Sequence, residues 1–168
     1  LTTLNHDSLN SDRVRVVNAD AFTWLETNRE IFDAAILDFP DPTSFSIGKL
    51  YTTTFYERLR SALAPDALVA VQTTSPLMAR HSFWCVDATL RASGWQTVPY
   101  HCYVPSFGEW GFIMASMQPA PAASRLPEGL RFFTEAVFAN EREFPPDMSR
   151  VKVEPNRLNN QTLVRLHE

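Results

Sequence analysis

The chain has 168 residues, 45% apolar and 20% charged, an ordinary balance for a folded domain and a poor one for a disordered chain. Fifteen Lys and Arg against 19 Asp and Glu give a net charge of −4 with no basic stripe, so nucleic acid is not an expected partner. No apolar run approaches the roughly 18 residues of a membrane span, the length suits one domain with a real core, and the start at Leu1 without Met suggests a piece of a longer protein.

Residues 1–12 are polar and read as a loop. Val14-Arg15-Val16-Val17 alternates and is β-branched, the pattern of a short strand, and a helix is expected from Ala21 to about Asn28. Phe32 to Leu37 is nearly all apolar, as in a strand covered on both faces, and ends at Asp38. A Pro-rich loop runs from Phe39 to Ile47. Leu50 to Ala64 then carries Leu50, Phe55, Leu59 and Leu63 on one face of a helix. Pro65-Asp66 reads as a turn and Ala67 to Val71 as a buried strand. Met78 to Ser93 is helical, with Phe83, Val86 and Leu90 inward and Gly94 as its C-cap. Thr97 to Val104 and Trp110 to Met117 flank a Pro105-Ser106-Phe107-Gly108 turn and are expected to pair as a hairpin. A linker from about Gln118 to Ser124 leads to an amphipathic helix bearing Leu130, Phe133, Val137 and Phe138, then a polar tail from Phe144 to Glu168.

Strands alternating with helices predict an α/β fold, a parallel sheet ending in an antiparallel hairpin. The C-terminal segment, about 118–168, is expected to be an appendage on the domain formed by residues 1–117. Cys85 and Cys102 lack CxxC spacing and read as free thiols. Trp24, Trp84, Trp95 and Trp110 are expected to pack in the core, and His81 and His101 have no metal-ligand spacing.

Ligands of open parallel sheets bind beyond the carboxyl ends of the strands. Three expected strands end in polar residues there: Asp20, Asp38 and Gln72-Thr73-Thr74. Taken singly, Asp20 and Gln72 are ordinary turn or cap residues. Asp38 and Asp41 differ, because Pro40 and Pro42 stiffen the three-residue interval and let both carboxylates serve one small volume. Paired carboxylates either raise one pKa or await a cation. No further Asp, Glu or His near the turn completes a metal site, and an organic polyamine cation fits instead.

Phe32-Asp33-Ala34-Ala35-Ile36-Leu37-Asp38-Phe39-Pro40-Asp41-Pro42, followed by Gly48-Lys49-Leu50-Tyr51-Thr52 and Phe55-Tyr56, resembles the spermidine synthase family. Val71-Gln72, Pro105-Ser106-Phe107 and Gly111-Phe112 fit the family's pattern in order and rough spacing, and the resemblance spans about residues 13–117. It implies a Rossmann-like sheet of the methyltransferase type and aminopropyl transfer from decarboxylated S-adenosylmethionine to a di- or polyamine such as putrescine, with no metal or other cofactor. It further implies that Asp38 is the catalytic base, that Asp41 holds the amine, and that Gln72 lines the substrate channel. Asp20 and Ala21 would contact the adenine of the donor, and Phe45 stands where many members place a Pro against the nucleoside. Phe107 stands where others place a Tyr near the amine, and Glu109 is the candidate replacement anion for a distal ammonium.

The family's Gly-rich turn and ribose-binding acid have no counterpart among the five glycines here, so the first two strands of the family sheet are expected to be missing. The chain then reads as the C-terminal part of a catalytic domain, inactive alone and partnered by the missing N-terminal portion, with a homo-oligomer expected. Phe144-Pro145-Pro146-Asp147-Met148 and Asn156 to Gln161 resemble the C-terminal extension of bacterial members with an upstream membrane domain, the alternative being a packing tail whose Asn and Arg side chains bond to loops. A cytoplasmic location, at the membrane face if such a domain exists, follows from the resemblance. Two other functions remain open at this point: a methyltransferase using S-adenosylmethionine on the same fold, and a non-catalytic polyamine-binding module.

Overall fold

A computed structural model describes residues 3–119 and 126–167. Its elements, in chain order, are α1 (Ala21–Thr27), β1 (Phe32–Leu37), α2 (Phe45–Gly48), α3 (Thr53–Ser61), β2 (Leu63–Gln72), α4 (Arg80–Ala92), β3 (Gln96–Val104), β4 (Gly108–Ser116), α5 (Glu135–Asn140) and α6 (Thr162–His167). The strands form one sheet in the order β1-β2-β4-β3, with β1 and β2 parallel and β4 antiparallel to both neighbours. The α/β class and the terminal hairpin agree with the sequence expectation.

β1 and β2 are parallel because α2 and α3 carry the chain back over the sheet between them. Thr52 starts α3 by accepting the Phe55 N–H, and the helix buries Phe55, Tyr56 and Leu59. After α4, Gly94 at φ 81° reverses the chain in a conformation that favours glycine, and Trp95 turns back to donate its indole N–H to the Tyr56 carbonyl at 3.3 Å. α3 and α4 thus pack together over one sheet face, where Val69, Val71, Ile113 and Ala115 are buried. The residues of opposite parity, Ala34 and Ile36 with Leu68 and Ala70, form the other face. That face is not covered by the described residues, and Ile36 is 83% exposed. The expectation that β1 is buried on both sides is therefore corrected: both packed helices come after the strand and lie on the same face.

Three further differences have local causes. Val14–Val17 are not in a strand, because no neighbouring strand among the described residues takes up their backbone groups. Pro65-Asp66 does not end a helix with a separate turn. Phe32 pairs with Leu63 and Ala34 with Leu68, so the two residues sit in an irregularity inside a longer β2. The helix expected around Leu130 and Phe133 begins only at Glu135, where Thr134 caps it through the Val137 N–H. The expected linker at 118–124 lies largely outside the described residues, which omit 120–125.

The tail is a packing element. Phe144 meets Phe83, Trp84 and His101 with ring centroids 5.6, 5.0 and 4.9 Å apart. Trp84 donates to the Met148 carbonyl at 2.9 Å and Arg80 to the Ser149 carbonyl at 2.7 Å. Asp87, wholly buried on α4, accepts from Thr97 at 2.6 Å, from Arg91 at 3.0 Å and from Arg150 of the tail. Covering the outer side of α4 explains why Ser82, Asp87 and Thr89 are as buried as its apolar residues. Cys85 and Cys102 are free, and Trp84 and Trp95 are core residues, as expected, whereas Trp24 and Trp110 are only half-buried.

Candidate active site

The carboxyl ends of β1 and β2 open into a cleft of about 510 Å³ lined by Asp38, Phe39, Pro40, Asp41, Gln72, Val104, Phe107, Trp110 and Phe112. Strand register explains this company. Gln72 and Phe112 are paired across β2 and β4, and Trp110 lies two residues along β4 on the same side. Asp38 follows the last residue of β1, so its carboxylate sits where that strand stops. Phe107 is at the mouth, 69% exposed, with its ring 5.3 Å from that of Trp110. Two acids, one amide and a predominantly aromatic wall make this cleft.

The acidic turn is held from below. The Phe39 ring meets Tyr51 and Phe55 edge-on, with centroids 5.9 and 5.5 Å apart. The Tyr51 hydroxyl donates to the carbonyls of Phe39 at 3.0 Å and Pro40 at 3.2 Å. Beyond the turn, the Thr43 N–H donates to the Asp41 carbonyl at 2.7 Å. Burial raises the Tyr51 pKa above its ordinary value, and the Asp41 and Asp38 charges add to the shift. The phenol therefore remains a donor. His167, on α6, brings its Nε2 to 3.9 Å from the Asp41 carboxylate.

The other expected site residues separate. Asp20 caps α1 through the Thr23 N–H at 3.1 Å and pairs with Lys49 at 2.7 Å. The Lys49 bond, followed by the Thr23 N–H, lowers its pKa. Ala21 lines a different hollow of about 360 Å³ with Arg15, Val17, Ala19, Trp24 and Phe32. Phe45 starts α2 and is 58% exposed, lining neither space. Glu109 is a correction. Alternation along β4 turns it away from Trp110 and onto the helix-covered side, where its carboxylate meets His101 Nδ1 at 2.7 Å. It cannot be the second anion of the Asp38 cleft.

Trp110, Phe112, Tyr51, Asn156 and His167 were not singled out for the site from sequence. Tyr51 lay inside the recognised motif, and the even spacing of Trp110 and Phe112 with Gly108 was the available sign of a shared face. Nothing local signals Asn156 or His167, which arrive from the far end of the chain. Among the described residues, no cluster of three His, Cys, Asp or Glu side chains is placed to hold a metal ion.

The family described as "Spermine/spermidine synthase domain" matches residues 1–126. A polyamine aminopropyltransferase of Leptospira interrogans is 47% identical over 168 residues, covering 100% of this chain and 34% of its own length. Polyamine aminopropyltransferase 2 of Ralstonia nicotianae is 52% identical over 172 residues, again covering 100% of this chain and 33% of its own. The chain thus spans about a third of the length of these curated relatives. A solved spermidine synthase in complex with the transition state analogue AdoDATO superposes with a TM-score of 0.72 at 24% identity, covering 85% of this chain and 52% of that one, a likeness of fold.

Proposed function

The chain belongs to the spermine/spermidine synthase family, and on that premise we propose that it supplies the acidic-turn side of a site for aminopropyl transfer. The donor is decarboxylated S-adenosylmethionine and the acceptor a diamine such as putrescine. The observation that carries this reading is the cleft itself: Asp38 and Asp41 face a wall of Phe39, Phe107, Trp110 and Phe112, with no Lys or Arg among the described residues that line it. An alkyl diammonium needs anions for its ends and apolar surface for its methylenes, and this lining offers both.

The transfer joins the amine nitrogen to the carbon bound to the sulfonium. The nitrogen lone pair forms the new C–N bond, the C–S bond breaks with its electrons going to sulfur, and neutral methylthioadenosine leaves. A primary amine has a pKa of about 10.4, so near neutrality it arrives as an ammonium and must surrender a proton. Asp38, at the end of β1, is the acceptor for that proton, and Asp41 holds and orients the amine. Gln72 lines the path beside them. Ala21, in its separate hollow, and Asp20 before it are proposed to meet the adenine, with Phe45 against the nucleoside. Asp20 would act there while retaining its helix-capping role.

The curated relatives' greater length leaves room for the remainder of the donor site, so the active species is proposed to be the longer polypeptide, oligomeric and acting in the cytoplasm. Residues 1–117 are proposed as part of the catalytic domain and 118–168 as an extension, of which Phe144, Met148, Ser149 and Asn156 meet α4. The test is turnover by the full-length protein given decarboxylated S-adenosylmethionine and putrescine, scored as methylthioadenosine. Asp38→Asn should lower kcat/KM by about 10²–10⁴-fold, the usual span of a general base. Asp41→Ala should raise the putrescine KM by about ten- to a hundred-fold, as expected for a hydrogen bond to a charged group. Release of S-adenosylhomocysteine from S-adenosylmethionine, with no methylthioadenosine from the decarboxylated donor, would instead identify a methyltransferase.

A further inference from the structure

Asn156 is wholly buried although it lies in the polar tail. Its side-chain amide donates to the carbonyls of Gly48 at 3.0 Å and Tyr51 at 3.2 Å, and its Oδ1 accepts the Leu163 N–H at 3.2 Å. Its backbone is used as well: the N–H donates to Thr89 Oγ1 at 2.8 Å and the carbonyl accepts from the Thr53 N–H at 3.0 Å. One residue therefore ties the start of α6, the side of α4 and the segment Gly48–Thr53 together. Gly48 allows the close approach, since a Cβ there would come within 2.5 Å of Val164 Cγ2 and 2.9 Å of Gln161 Oε1.

The far end of that segment is the Tyr51 hydroxyl under the acidic turn. We propose that Tyr51 is a positioning residue for Asp38 and Asp41, held in register by Asn156 of the C-terminal segment, so that the tail sets the geometry of the amine-binding carboxylates. Two carbonyls of the turn, those of Phe39 and Pro40, accept from one hydroxyl, which fixes the peptide planes between Asp38 and Asp41. Asn156 bonds the main-chain carbonyl of that same tyrosine. A shift of the tail is thereby passed to the turn through Tyr51, alongside the direct approach of His167 to the Asp41 carboxylate at 3.9 Å. Burial keeps the phenol protonated, and so the hold lasts throughout the neutral range.

The proposal rests on the aminopropyl-transfer reading for its kinetic consequence but not for its structural one. Tyr51→Phe keeps the aromatic packing and removes only the hydroxyl, so it is the decisive variant; Asn156→Ala is the second, informative if it folds. In the full-length protein, Tyr51→Phe should raise the putrescine KM by about five- to ten-fold, the size of one lost hydrogen bond, with the donor KM unchanged. Hydrogen exchange at the Thr43 amide, which bonds the Asp41 carbonyl, should speed up by a similar factor. Asn156→Ala should act in the same direction, and the double variant should fall short of the product of the two effects, as for residues in one connected network.

A folded Tyr51→Phe protein with unchanged putrescine KM and unchanged Thr43 exchange would overturn the proposal and leave Tyr51 a core aromatic. If the unsubstituted full-length protein releases no methylthioadenosine, the functional reading falls. The Thr43 exchange rates and calorimetric putrescine binding would then still decide whether Tyr51 and Asn156 position the turn.

Discussion

The Tyr51 phenol sits beneath two carboxylates in a buried position, where a phenolate is disfavoured three times over: burial raises its pKa first, then Asp41, then Asp38. Tyr56, wholly buried, is shifted the same way by burial, and burial pushes the Cys85 thiol up to about 12. For each group the folded pKa exceeds the unfolded one. The stability it contributes is complete below the unfolded value, about 10 for a tyrosine, and is lost as pH rises through the folded value. Above pH 10 the chain should lose about 1.4 kcal/mol of stability per pH unit for each such phenol. Urea unfolding at pH 9, 10 and 11 checks this. Tyr51→Phe should flatten the slope above pH 10 by one phenol's share, and equal slopes would show that Tyr51 is not shielded. At this scale the sequence was informative where a residue's role depends on its neighbours in the chain. Asp38 and Gln72 stand at strand ends and Asp41 in the turn after β1, and the cleft gathers all three. Glu109 was misjudged because distance along the chain does not say which side of a strand a carboxylate occupies. Asn156 was unreadable as a site residue because its partners, Gly48 and Tyr51, lie more than a hundred positions away.

Elements with a strong local signal were legible almost to the residue: β1 from its apolar run and abrupt Asp38, α4 from its periodicity and Gly94, the β3–β4 hairpin from its turn residues. Those whose definition depends on partners were not. Val14–Val17 has strand chemistry without a strand to pair with among the described residues, and β2 absorbs Pro65-Asp66 because β1 runs alongside it. β4 is also fixed by its contact with α4 and the loop after β2. At Gly111 a Cβ would come within 2.5 Å of the Phe83 ring and of the Thr74 carbonyl oxygen, while the Gly111 carbonyl accepts from the Thr73 N–H at 3.0 Å and hydroxyl at 2.8 Å. A buried ring and a backbone carbonyl cannot both give way cheaply. Gly111→Ala should therefore destabilise the fold by about 1–3 kcal/mol, the range for overpacking, measured by thermal or urea unfolding. Because Gln72 directly precedes Thr73, the same change should also shift the floor of the cleft, whereas a neutral substitution would show that β4 and α4 can slide apart.

Viewed as one body, the chain has two unlike sheet faces. Helices α3 and α4, backed by the tail, cover one, and the other presents Ile36 at 83% and Leu68 at 47% exposure. β1 is an edge strand, with pairing on its β2 side alone among the described residues. An apolar face joined to an open edge favours association, by apolar burial and by strand addition. The curated relatives have about three times the residues of this chain, enough to cover both. These facts give Ile36→Lys opposite expected effects in two lengths of polypeptide. In the 168-residue chain the lysine replaces an exposed apolar group, so concentration-dependent association in sedimentation should fall while the melting temperature holds. In a polypeptide of the relatives' length the same position would be covered, and a buried unpaired ammonium should lower stability by more than about 2 kcal/mol. A neutral result in the long form would mean that this face stays open there too, and that the apolar alternation of β1 and β2 serves something other than a covering layer.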